Sequence, residues 1–367
     1  MSKPSVLFVS KAITPPFHDG TKCLVRDLAQ HLTRFEPRVM SSPGAPPLSG
    51  VTNLPVYGDA GGFSPGLLQN ARAASYLVLR AQADLWHFVF APNPASSHVG
   101  RVAKYLRKAP VVQTIASPPL SFRGASNWLF GDVVVAQSKW TARQLSNGAR
   151  GQEIEVIPPC VGAAAEVDAV ECAAVRQSLS IPSDAPIFLY PGDLETSSGA
   201  QTVADAVAPI LAAIPAAFVV FACRKKSPAA PRIEADLRAR LSSSRARFAG
   251  ELRSVLPLLK TSRVLLFPVD DLRGKVDLPI VLLEAMQLGT PVVVAAGGPL
   301  DDLEHVLRVP AQDPAALVAA CRALHEADEV RLPLVKSAQL EVDRQFSARS
   351  VAARYETVYE RLLRLTA

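Results

Sequence analysis

The 367-residue sequence predicts an α/β chain of two Rossmann-like, doubly wound parallel-sheet domains that face a cleft. Three observations predict it. Apolar runs of strand length alternate with helix-length segments along most of the chain. The alternation pauses between Gly162 and Ala185, where composition shifts to Ala, Glu, Val and Ser, as expected of a linker zone. The stretch from Arg263 to Glu304 then displays one complete strand–helix–strand unit. Its second strand, Val292 to Ala296, ends in Gly297-Gly298, and open α/β sheets bind ligands at that carboxyl edge.

The elements follow in order. Val6 to Ser10 is an apolar strand, and the loop KAITPPFHDG leads into a helix from about Thr21 to Leu32. Arg38–Ser41 and Val51–Val56 are short strand candidates, Leu67–Ala83 is helical, and Asp84–Phe88 is a strand that His87 nearly closes. Ala95 to Arg107 is a helix on which Arg101, Lys104 and Lys108 recur at three- and four-residue spacing, giving one basic face. Val111–Thr114 and Val133–Gln137 are buried strands, and a helix follows Ser138. Beyond the linker zone, strands near Ile187, Ala217, Ala246 and Val264 alternate with helices at Ala200–Ile214, Pro231–Leu241 and Arg253–Thr261. Asp277 is placed as the N-cap of the helix that carries Glu284, with Pro279 in its first turn and Gly289 as its stop. The tail from Phe346 is an amphipathic helix with Val351, Tyr355, Val358, Tyr359 and Leu362 on one side. The expected domains are residues 1–163, 164–345 and the closing helix 346–367.

Composition narrows the classes. Hydrophobic residues make up 49% and charged residues 20%, which suits a globular chain with two cores. The five cysteines lack metal-ligand spacing and read as reduced cytoplasmic thiols, and the start MSKPSVLFVS enters a strand without signal-peptide form. Ala206 to Cys223 carries no charge, but Pro209 and Pro215 make it a helix followed by a strand and not a membrane span. The net charge of +6 is uneven: residues 1–160 hold 16 Lys and Arg against 8 Asp and Glu. A basic first half suits an anionic membrane surface or a phosphorylated acceptor. No zinc-finger spacing or RNA-binding aromatic motif is present, so nucleic acid is not an expected partner.

Glu284 stands out, because its helix is otherwise apolar from Ile280 to Met286. The run DLPIVLLEAM, followed by GTPVVV, resembles the donor-sugar motif of GT-B glycosyltransferases, especially the retaining enzymes of family 4, also called group 1. The resemblance implies that Glu284 binds the ribose of a nucleotide-sugar donor. It also implies a cytoplasmic enzyme, metal-independent and without a cofactor, that moves a sugar to a hydroxyl on a glycan, lipid or small molecule. Asp19-Gly20 stands where the family has its glycine loop, so Gly20 is a donor-binding candidate, as is Gly298.

Several family positions differ. The motif's first glutamate falls on Val276, next to Asp277, and the usual Arg and Lys of the second domain become Asp193 and Ser198. The histidine near Thr114 becomes Ala116, which leaves His87 and Asp277 as catalytic candidates. Arg224, Lys226 and Lys275 lie in loops expected at the ligand edge and are candidates to replace the missing cations beside a diphosphate. Two alternatives remain open at this level: a binding or regulatory module on the same fold, and a sugar-nucleotide epimerase.

Overall fold

The computed structural model describes residues 3–17, 19–58, 65–119, 121–148, 151–163, 166–225, 227–242 and 245–366. It divides into two compact units. The first comprises Met1–Gly162, Arg273–Ile280 and Gln345–Ala367, and the second comprises Ala163–Leu272 and Val281–Arg344.

The first unit contains β1 (Ser5–Val9), α1 (Gly20–His31), β2 (Glu36–Ser41), β3 (Thr52–Pro55), α2 (Leu67–Leu79), β4 (Leu85–Phe90), α3 (Pro94–Arg107), β5 (Val111–Ile115), β6 (Val133–Ala136), α4 (Lys139–Ser146) and β7 (Glu153–Val156). All pairings are parallel, in the order β3-β2-β1-β4-β5-β6-β7. Helices cover both faces, so β1 and β5 are buried along their whole length and are apolar apart from Ser5, Gln113 and Thr114.

The second unit contains α5 (Ala169–Ser178), β8 (Ile187–Tyr190), α6 (Gly199–Ala213), β9 (Phe218–Phe221), α7 (Ala230–Arg240), β10 (Ala246–Phe248), α8 (Leu256–Thr261), β11 (Val264–Phe267), α9 (Ile280–Gln287), β12 (Val292–Ala295), β13 (Leu307–Val309), α10 (Pro314–Glu326) and α11 (Asp328–Glu341). Its parallel sheet runs β10-β9-β8-β11-β12-β13. The uncharged run near Ala206 is the end of α6 and all of β9, and no helix among the described residues is long and apolar enough to cross a membrane.

The last helix, α12 (Ala348–Thr366), belongs to the first unit. Its Val351, Tyr355, Val358, Tyr359 and Leu362 are buried in one core with Val6, Phe8, Phe35 and α1. Glu356 fixes it further. Its carboxylate accepts the backbone N–H groups of Thr33 and Arg34, both at 2.6 Å, and the Arg34 Nε at 3.0 Å. Where the chain first leaves this unit and where it finally returns, the backbone pairs: Val161 N–H donates to Phe346 O and Ala348 N–H to Val161 O, each at 2.9 Å.

Two local readings change. Residues 273–280, expected in the second domain, pack with the first unit. On α3, Arg101 and Lys104 do not form a free basic face. Arg101 donates to the carbonyls of Asn127 and Leu129, and Lys104 to Phe130 O and the Asp132 carboxylate. The inward residues of α3 are Ser97, Gly100 and Ala103. A Cβ on Gly100 would lie 2.5 Å from the Phe130 ring, so the helix backbone rests directly on that ring.

Candidate functional site

Each sheet reverses its strand order once, between β1 and β4 in the first unit and between β8 and β11 in the second. Ligands of open α/β sheets bind at the carboxyl ends of the strands beside such a reversal.

In the second unit the loop after β8 is built on Tyr190. This side chain is fully buried, and its hydroxyl donates to Asp193 O at 2.8 Å. A Cβ on Gly192 would lie 2.1 Å from the ring, which explains glycine there. Asp193, the residue at the family's arginine position, is itself buried, and its carboxylate accepts Thr196 N–H at 3.1 Å. Glu195 accepts both the N–H and the hydroxyl of Ser227 at 3.0 Å, which ties this loop to the one after β9.

Ser198, at the family's lysine position, precedes α6. Its N–H and hydroxyl donate to the two carboxylate oxygens of Asp270, at 3.0 and 2.7 Å. Gln312 donates to the same carboxylate at 2.9 Å. Burial alone would raise the Asp270 carboxyl, but the bonds from Ser198 and Gln312 outweigh it and hold the group below its ordinary range. An anion at a helix start is favourable, and here the protein supplies its own. The sequence offers Asp270 only as one of the adjacent acids Asp270-Asp271, a pairing that reads as a cap or a solvated loop residue. The signal was its position at the end of β11, but its partner lies 72 residues away.

Glu284 is half-buried on α9 among the buried Leu282, Leu283, Ala285 and Met286. Gly297 and Gly298 follow β12 with φ of +97° and +71°, values that favour glycine, and Gly298 opens a short 3-10 turn to Asp302. Arg224 is half-buried after β9 and makes no side-chain ion pair among the described residues; its neighbour Lys225 pairs with Glu234 on α7 at 3.4 Å. Lys226 lies outside the described residues. Lys275 belongs to the first unit, so the three candidate cations are not gathered in one unit.

In the first unit, Asp19 caps α1 by accepting Thr21 N–H at 2.9 Å and Lys22 N–H at 3.2 Å, and Lys11 pairs with it at 2.9 Å. Gly20 has ordinary backbone geometry, and a Cβ there would meet the Val276 methyl groups at 3.5 Å, normal contact. Val276 is buried, as apolar packing against Gly20 requires.

Asp277 is not the cap of α9. It is buried, and its Oδ2 accepts the hydroxyl of Ser138, the N-cap of α4, at 2.7 Å. His87 is not at a strand end either, because β4 continues to Phe90. It is completely buried; its Nε2 meets Thr114 Oγ1 and its Nδ1 meets Tyr359 OH, both at 2.7 Å. Burial pushes its pKa down to about 3, so the ring is neutral. With both nitrogens engaged inside the core, His87 holds α12 to the sheet.

Comparison with known proteins agrees with this geometry. Residues 185–327 match the family model described as glycosyl transferases group 1. The chain matches no curated protein sequence. Among solved structures it is similar to HepE from Anabaena in complex with UDP-glucose, with 17% identity, a TM-score of 0.74 and coverage of 97% of this chain and 100% of that one. It is similar to sucrose-phosphate synthase from Thermosynechococcus elongatus, with 19% identity, a TM-score of 0.75 and coverage of 98% and 100%. The catalytic domain of starch synthase IV from Arabidopsis thaliana, bound to ADP and acarbose, has 14% identity, a TM-score of 0.75 and coverage of 99% and 100%. Residues 185–327 thus match the group 1 glycosyl transferase model, and the chain has the GT-B fold of these glycosyltransferase structures.

Proposed function

We propose that the chain transfers a sugar, with retention, from a nucleotide-sugar donor to a hydroxyl acceptor on a glycan, lipid or small molecule. The observation that carries this reading is the group 1 match over residues 185–327, which includes Glu284 on α9 and the glycines after β12. In this reading Glu284 accepts hydrogen bonds from the ribose hydroxyls. Gly297 and Gly298 let the donor approach the backbone. Arg224 and the start of α6 face the diphosphate, whose charge grows as the glycosidic bond breaks, and no metal or cofactor is required. HepE, a structural neighbour, was solved with UDP-glucose, which makes UDP-glucose the first donor to try.

One observation favours a second reading, binding without transfer. The family cations are replaced by Asp193 and Ser198, and the helix start at Ser198 already holds the Asp270 carboxylate. A panel of nucleotide sugars separates the readings. Calorimetric binding together with donor hydrolysis or transfer supports the transferase, and binding with an intact donor supports the module. Isomerisation of the free nucleotide sugar would point to an epimerase and sink both.

A further inference from the structure

We infer that the outer surface of α2 and α3 docks peripherally on an anionic lipid bilayer. These two helices lie side by side on the sheet face opposite α1 and α12, and both contribute to the same core layer. Among the described residues, seven of the eleven exposed large apolar side chains lie on them. The polarity of α3 is inverted for a surface helix. Its inner face is small, because its backbone rests on Phe130, and its large apolar residues Val99, Val102, Tyr105 and Leu106 point to solvent. Tyr105 is 82% exposed. A globular helix ordinarily turns such residues inward, so this stripe lacks the partner its composition calls for.

The ends of the two helices are tied together, since Arg107 donates to Ala81 O at 2.8 Å. That bond sets Leu79 and Arg80 at the same end as Tyr105, Leu106 and Lys108, all of them exposed. Apolar side chains fringed by cations are the signature of a surface that lies in a lipid interface.

Charge decides the occupant. From residue 60 to residue 131 the sequence has seven Lys and Arg against the single Asp84, a net of +6, equal to that of the whole chain. Neither α2 nor α3 contains an acid. A second copy docked on the same face would set cation against cation, whereas anionic headgroups neutralise them and the acyl boundary accepts the apolar stripe. Lys104 and Arg101 do not contribute as free cations, because they are held by the 127–132 segment. The cationic fringe left is Arg80 and Lys108, both exposed.

The test is co-sedimentation of the full chain with vesicles of phosphatidylglycerol mixed with phosphatidylcholine, against vesicles of phosphatidylcholine alone. Binding is expected to the mixed vesicles and to weaken with added salt. The Arg80→Ala, Lys108→Ala double variant should bind about tenfold to thirtyfold more weakly, the loss expected of two cations at an anionic surface. Tyr105→Ser with Leu106→Ser should also weaken binding to the mixed vesicles, and since both residues are exposed the fold should be intact by circular dichroism. Absent binding, equal binding to both vesicle types, or equal binding by the variants would overturn the inference. So would self-association of the chain that the Tyr105 and Leu106 substitutions abolish, because the stripe would then belong to a second copy. Vesicle binding is read without any donor, so its failure leaves the proposed transfer reaction untouched.

Discussion

The two units spend their polar residues differently. In the first, the groups that the sequence offers as chemistry are consumed by packing: His87 bonds Thr114 and Tyr359, Asp277 takes the Ser138 hydroxyl, and Asp19 caps its own helix. In the second, Glu284 and Arg224 are half-buried, and Asp270 is exposed on the loop after β11. The starts of α1 and α6 make the contrast concrete. Both are closed by a carboxylate. Asp19 is the adjacent residue and cannot leave without unmaking the helix start, whereas Asp270 comes from another strand's loop. Under the proposed function, a cap borrowed from a distant loop would compete with a donor diphosphate for the start of α6. The difference teaches that the proposed chemistry rests on the second unit, while the first unit's buried polar groups serve its architecture.

The largest effect expected is on stability in the first unit. Glu356→Ala strips two backbone N–H groups and a guanidinium of their acceptor, the buried Glu356 carboxylate, at a cost of about 3 kcal/mol. All three tryptophans, Trp86, Trp128 and Trp140, lie in the first unit, so their fluorescence during denaturant unfolding reads that unit selectively. A transition midpoint that does not move would remove Glu356 from the forces holding α12.

Next comes a dependence on pH. The folded His87 has a pKa of about 3, below the ordinary value of 6.5, so the unfolded state binds a proton first as pH falls. The contribution is complete above the ordinary value and is lost as pH drops through the window between the two. From about pH 8 to about pH 5 the loss should be about 2 kcal/mol. The same tryptophan signal should show it, and His87→Gln should flatten the profile in that window.

The second unit should respond in ligand binding. Glu284→Gln should weaken binding of a nucleoside diphosphate about tenfold, the effect of a lost charged hydrogen-bond partner. Asp270→Asn should do the reverse and strengthen it several-fold, by removing the anion at the start of α6. Calorimetry on both variants sharpens the contrast between the units. If Asp270→Asn weakens binding instead, the Ser198 bond organises the site and does not compete for it.

The smallest effect is expected at Gly20. Its backbone is ordinary and a Cβ has room against Val276, so Gly20→Ala should change stability by no more than about 0.5 kcal/mol. A marked loss of donor affinity in this variant would break the comparison, because it would return the start of α1 to the ligand site.

The sequence by itself determined most of the alternation of strands and helices, the pause between the two sheets and the inward stripe of the last helix. These depend on periodicity and composition within short windows of sequence. It missed the edge strand β7, whose Glu153 and Glu155 interrupt the apolar run, the three-residue β13, the helices α10 and α11, and the caps Asp19 and Ser138. Tertiary structure alone decided the rest. Val276 and Asp277 read as part of a donor motif, yet they are buried in the first unit because Gly20 and Ser138 offer an apolar contact and a hydroxyl there. His87 became a core residue because α12, more than 270 residues on, brings Tyr359 to it. The apolar side of α3 faces outward because the Phe130 ring leaves room inside only for glycine and other small residues. In each case the deciding partner lies far along the chain, where neither spacing nor composition can announce it.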